Sequence, residues 1–177
     1  MFEYKELSVT DSLKFSINKL WIFINHDTKA IEANKTIVPN GFFNIAFITG
    51  KGALVAFNKE VLELKQGIYF CGQATQSVSV DILPATKVIM VQIFPWSASM
   101  FTDFDMKECR NKIVPIHSIN KDFECEANDI DHTDEQTILH FLHERFKSFL
   151  AKRTHCFSPR KLLINYEERR SGFYQRT

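Results

Sequence analysis

The sequence predicts a mainly β domain, a barrel or sandwich, followed by C-terminal helices. Three observations predict it. Turn signals recur about every eight to twelve residues through the first hundred, the spacing of an all-β fold rather than of alternating βαβ units. The stretch 43–50 is apolar on both faces, as the wall of a barrel should be. Thr133-Asp134-Glu135-Gln136 makes a capping box, with Thr at the cap, Gln three residues on and two acids at the helix N-terminus.

In chain order, residues 15–24 hold Phe15, Ile17, Leu20, Trp21, Ile22, Phe23 and Ile24 in a near-continuous apolar run that ends at Asn25-His26-Asp27. Residues 29–38 are polar and edge-like until their last positions. Pro39-Asn40-Gly41 then reverses the chain, because Pro39 fixes φ while Asn40 and Gly41 tolerate positive φ. In the next strand Phe43, Ile45 and Phe47 alternate with Asn44, Ala46 and Ile48. Both faces therefore need cover, a lumen on one side and a helix or second sheet on the other. Gly50-Lys51-Gly52 turns into 53–57, Asn58-Lys59 into 61–64, and Lys65-Gln66-Gly67 into 68–72. Residues 77–82 alternate as a half-exposed strand, Leu83-Pro84-Ala85 makes a corner, and 87–94 is the last strand, stopped by Pro95, which has no N–H to donate.

Residues 97–110 read as short helical pieces. The capping box opens a helix over 134–152, in which Leu139, Leu142, Phe146 and Phe149 lie at i, i+3, i+7 and i+10 as a candidate dimer interface. Ser158-Pro159 opens a connector helix over 159–170, and Gly172 stops it. The expected division is a β-barrel over 1–103 and a helical segment over 104–177.

Composition bounds the function. At 177 residues and 45% hydrophobic, the chain is one domain with a short appendage, and its 17 Phe argue for a ring-packed core. The net charge of +1 hides an asymmetry: residues 144–177 carry nine Lys or Arg against three Glu, and the body is acidic. Such a basic tail is the ordinary pattern of a solvated helical surface. The first residues carry charge without a secretory apolar core, and no run approaches the roughly 20 apolar residues of a membrane span. A cytoplasmic protein is expected, with Cys71, Cys109, Cys125 and Cys156 as reduced thiols, since no two form a Cys-x-x-Cys pair. No Gly-x-Ser-x-Gly elbow, Walker loop or Gly-x-Gly-x-x-Gly is present, and Cys71 has no evident base.

Pro39-Asn40-Gly41-Phe42-Phe43-Asn44-Ile45-Ala46-Phe47, the Gly72 turn, and Val91-Gln92-Ile93-Phe94-Pro95-Trp96 resemble the N-terminal domain of AraC-type transcription regulators. In that family a Pro-Asp-Gly turn leads a strand bearing one acidic or amide residue, and a later strand ends in Phe-x-Pro or Phe-Pro. The resemblance runs over about residues 10–150 in order and spacing; Asn40 replaces the usual Asp, and Trp96 stands where a small residue is common. It implies a cupin-like double-stranded β-helix that senses a small molecule, followed by an α-helical dimerisation segment and then tandem helix-turn-helix motifs. Five residues follow Gly172, where such a DNA-binding unit takes on the order of 100, so DNA contact is expected only through a part absent here.

The expected function is thus an effector-sensing and dimerising domain with no catalytic residues, no metal and no cofactor. The alternatives are a cupin-type enzyme and a free-standing interaction module. Against the enzyme, metal-dependent cupins resemble this fold but hold their metal with several His and a Glu, and the first hundred residues contain only His26. His140 and His143 lie three apart on the long helix, where the alternatives are a metal shared with another chain and, the stronger reading, surface histidines beside a dimer seam. Candidate ligand-binding residues are Trp21, Phe23, Phe42, Asn44, Phe70 and Trp96, the aromatic and polar groups placed to reach a lumen or its mouth. Asn44 stands out because a polar group on an apolar strand needs a partner.

Overall fold

The structure, a computed structural model, describes residues 1–57, 60–101 and 104–120, together with His140, His143, Glu144 and Lys147. Among the described residues ten strands carry the fold: β1 (Phe2–Leu7), β2 (Ile17–Asn25), β3 (Glu32–Ile37), β4 (Phe43–Gly50), β5 (Ala53–Phe57), β6 (Glu60–Leu64), β7 (Gly67–Cys71), β8 (Val78–Ile82), β9 (Thr86–Ile93) and β10 (Ile113–Pro115). A seven-residue helix, α1 (Pro95–Phe101), and a 3-10 turn, Ile116–Ser118, flank the last strand.

The strands pair as one long hairpin wrapped on itself. β5 pairs with β6, β4 with β7, β3 with β8 and β2 with β9, all antiparallel. Cross-pairs β4 with β9 and β5 with β8 complete two sheets, ordered β1-β2-β9-β4-β7-β10 and β3-β8-β5-β6. This nesting is the double-stranded β-helix of jelly rolls, so the fold is mainly β and cupin-like, as expected from the sequence.

Turn chemistry sets the corners. Asn40 Oδ1 accepts from the Phe42 N–H at 3.1 Å, and Gly41 takes φ +76°, so the Pro-Asn-Gly reversal forms as its residues dictate. Between β4 and β5, Gly50 and Gly52 take φ +91° and +107°, and a Cβ on either would run into the carbonyl oxygen of Ala85 or Leu64.

The larger sheet is buried on both faces. Its outer face packs Leu20, Ile22, Ile45, Phe47, Ile68, Phe70, Ile89, Val91 and Ile93 beneath Leu7, Leu13, Ala98, Cys109 and Ile116. The lumen face packs Ala46, Ile48 and Val88 against Val55, Leu64 and Ile82 of the smaller sheet. Strand β4 thus finds the double cover its apolar sequence requires. Burying side chains such as Phe47 and Ile45 contributes about 1.5–3 kcal/mol apiece. The sheet edges also meet, for Lys35 Nζ of β3 lies 4.4 Å from the Phe2 ring centroid of β1 and 2.6 Å from Glu32 Oε1.

Several expectations need correction. A β-barrel followed by an α-helical dimerisation segment is not the described architecture: among the described residues α1 is the one α-helical element, and the elements end at Ile116–Ser118. Isolated helical positions at His140, His143, Glu144 and Lys147 do not make such a segment. Amphipathic periodicity alone is weak ground, since a helix draws most of its stability from a surface that receives its apolar face. The helices expected over 134–152 and 159–170, with Leu139, Leu142, Phe146 and Phe149, otherwise lie outside the described residues. Sheet structure also continues past residue 103, because β10 pairs with β7. Strand β1 went unread, its Glu3, Lys5 and Glu6 looking like a solvated start. Among the described residues no helix is long and apolar enough to cross a membrane.

Replacing Phe47, 1% exposed at the centre of β4, by Ala is expected to cost about 3–5 kcal/mol in urea unfolding. Leu62→Ala, on the rim at 46% exposure, should stay within about 0.5 kcal/mol. Equal costs for the two would contradict the two-faced core.

Candidate functional site at the barrel mouth

Strand alternation brings one end of the lumen face together from four strands. Register sets Lys19 beside Gln92, Gln92 beside Asn44, and Asn44 beside Cys71. The next row inward is Trp21, Met90, Ala46 and Tyr69. Outward of the row the Phe42 and Phe94 rings meet at 5.6 Å, and Phe94 stacks on Trp96 at 4.4 Å and 8°. Phe15 meets Trp96 at 6.1 Å, and the Trp96 Nε1–H donates to the Phe15 carbonyl at 2.9 Å, which fixes the indole.

A bulge places the polar group of this mouth. Between Ile17 and Lys19 the β2–β9 register slips, and Asn18 is the extra residue. Bulges re-aim side chains, and here Asn18 Nδ2 donates to Gln92 Oε1 at 2.6 Å. Gln92 is 3% exposed, yet its Nε2 donates to nothing among the described residues, and the half-buried Asn44 amide makes no hydrogen bond there either. The opposite end of the barrel differs. There Asn25 Nδ2 reaches the carbonyls of Ala30 and Ile82 at 2.9 and 3.1 Å, and Thr86 Oγ1 accepts from the Gly52 N–H at 3.1 Å. One end is sealed by satisfied polar groups. The other leaves two amides open.

Beside the open end, the Glu6 carboxylate collects three donors: Trp21 Nε1 at 3.1 Å, Lys19 Nζ at 3.2 Å and Tyr4 OH at 3.4 Å. The Trp21 hydrogen bond first, then Lys19, hold the Glu6 carboxyl below the usual carboxylate range. A cleft of about 500 Å³ adjoins this group, with Glu6, Lys14, Ile17, Asn18, Lys19 and Phe94 among its walls. Neither Asn44 nor Gln92 is among its walls.

Of the residues the sequence proposed, Trp21, Phe42, Asn44 and Trp96 stand around this mouth. Phe23 shares the lumen face but lies deeper, against Phe2 and Tyr4 at 6.5 and 5.3 Å. Phe70 is on the other face altogether, fully buried beside Phe43 at 5.6 Å, because it shares the parity of Ile68. Sequence reasoning missed Gln92, Asn18, Lys19, Glu6 and Phe94. Gln92 was findable, being the polar residue inside the apolar run 88–94, the argument that singled out Asn44.

Covalent chemistry has little to work with here. Cys71 and Cys109 are free, and burial pushes the Cys71 thiol up to about 12, so it holds its proton at neutral pH. Among the described residues no three His, Cys, Asp or Glu side chains converge as metal ligands, and His143 instead faces Glu144 at 3.0 Å.

Because Glu6 has a lowered value in the folded chain, its contacts contribute stability above the ordinary carboxylate range and lose it as pH falls through the lowered value. Acid titration should therefore show a step in tryptophan emission below the usual carboxylate range, as Trp21 loses its charged acceptor. The step should vanish in Glu6→Gln; its persistence there would assign it elsewhere.

No curated protein matches the chain. Solved structures similar to it include a predicted oxalate decarboxylase from Thermotoga maritima, 11% identical with a TM-score of 0.40 over 52% of this chain and 80% of that one. KdgF from Halomonas sp. is 14% identical, TM-score 0.38, over 52% and 77%. The Schizosaccharomyces pombe Cnp3 cupin domain is 10% identical, TM-score 0.40, over 55% and 64%. At these scores the likenesses carry no argument, and the fold rests on its own strand order. Residues 6–115, from the Glu6 carboxylate through the whole double-stranded β-helix to β10, match one family, and the chain belongs to it: the family described as Domain of unknown function (DUF6597).

Proposed function

We propose that this domain senses a small organic effector at the mouth of its barrel, as the ligand-binding part of an AraC-type transcription regulator. The observation that carries the reading is the pair of open amides, Asn44 and Gln92, on neighbouring strands at one end of a lumen whose other end is sealed. Neither amide is a buried orphan, so both reach solvent, and a bound molecule that hydrogen-bonds to them takes the place of water. The stretches 39–47 and 91–96, which carry the resemblance to the regulators, support it further. They are partners in the β4–β9 ladder, with Phe43 opposite Ile93, and their ends form the aromatic rim of the mouth.

The test is thermal unfolding against a library of small metabolites. A true effector at about a hundred times its Kd stabilises by about 2.7 kcal/mol, a rise in Tm of roughly 5–10 °C for a chain of this size. Asn44→Leu should leave the stability of the apo protein within about 1 kcal/mol, because it breaks no hydrogen bond among the described residues, and should lose the ligand-induced shift. A library without a hit, or a shift that Asn44→Leu leaves intact, would sink the proposal.

A further inference from the structure

We infer that the domain pairs with a second copy of itself through the free edge of β6, the two β6 strands running antiparallel across a two-fold axis at Leu62 so that two four-stranded sheets join into one. This goes beyond the sensing role and does not depend on it.

The two sheets have four edges, β1, β10, β3 and β6. Three of them are blunted in the ways that sheets resist strand addition. β1 carries Glu3, Lys5 and Glu6, all engaged in ion pairs. β10 is three residues long and ends on Pro115, which has no N–H to offer. β3 is broken by a register shift between Glu32 and Lys35, and those two residues pair with each other. β6 has none of these features. Its five residues run in unbroken register with β5, and among the described residues they pair with β5 alone. The first four, Val61 and Leu62 included, are exposed.

The charge pattern of the strand commits this edge to a second copy. Residues opposite each other in an antiparallel pair share a face, so a two-fold axis normal to the sheet must pass through a residue rather than between two. With the axis at Leu62, all five residues of Glu60-Val61-Leu62-Glu63-Leu64 find a partner. Leu62 then faces the partner's Leu62, Glu60 the partner's Leu64 and Val61 the partner's Glu63. No carboxylate meets another. An axis at Glu63 would set two carboxylates face to face, which destabilises a cross-strand pair, and an axis at Val61 would pair only three residues of the strand. Leu62 also lies opposite Val55 of the lumen core, so the two Leu62 side chains continue that core across the axis. Assembly stops at two, because each copy has then used its β6 edge. A ladder this short falls below the usual size of a stable interface, and a dissociation constant on the order of 10–100 μM is expected.

Sedimentation velocity of the full chain, over concentrations on the order of 1 μM to 1 mM, should show a monomer–dimer equilibrium. Leu62→Glu and Leu62→Lys should each weaken the dimer at least about tenfold, because like charges then meet at the axis. An equimolar mixture of the two variants should restore it, since a carboxylate now faces an ammonium group. Leu62 is exposed, so both variants should fold, which unchanged urea midpoints in dilute solution would show. The inference is overturned if the chain stays monomeric at the highest concentration, if a dimer survives either single variant, or if the mixture remains monomeric.

Discussion

Everything in this molecule depends on one strand being buried on two sides. β4 pairs with β9 on one edge and β7 on the other, and packs an outer core with Phe43, Ile45 and Phe47 and a lumen core with Ala46 and Ile48. A strand in that position cannot slip by one residue without carrying its whole hydrophobic set to the wrong side. Its fixed register then fixes Gln92 beside Asn44, and Lys19 beside Gln92. The chemistry of the mouth inherits its precision from the core.

The same constraint explains how polar groups are distributed. At the sealed end, Asn25 and Thr86 are buried and spend their hydrogen bonds on backbone groups that close the corners. They are structural, and the fold would be the poorer without them. At the open end, one bulge residue and one aromatic stack hold Gln92 and Phe94 in place from outside the lumen, so the groups facing inward keep unspent capacity. Rigidity there is supplied by neighbours rather than by the binding groups' own hydrogen bonds.

Much of the fold was legible because its corners are written in turn chemistry. Pro39-Asn40-Gly41 and Gly50-Lys51-Gly52 mark their reversals, and the strand read over 53–57 is β5 to the residue. β1 was not legible: a charged, exposed edge strand has no one-sided apolar signal, and only pairing with β2 defines it. β10 is three residues long and owes its existence to the edge of β7. Phe70 shows a different limit. Period two says which residues share a face, but nothing in the sequence says which face is the lumen, and Phe70 was put on the wrong one. The Asn18 bulge is likewise a product of register between strands far apart in sequence.

The outermost strand of the smaller sheet has a consequence for how the domain behaves among copies of itself. β6 is an edge strand, and Val61 and Leu62 on it are 66% and 46% exposed. An open edge with apolar side chains is a template on which another strand can add, and natural sheets guard such edges with charge. Here Glu60 and Glu63 are the guards, one at the strand's start and one near its end. Colloidal behaviour at high concentration therefore hangs on two carboxylates that take no part in the core or the mouth, and sequence drift at those positions would be felt as aggregation before it was felt as any loss of folding.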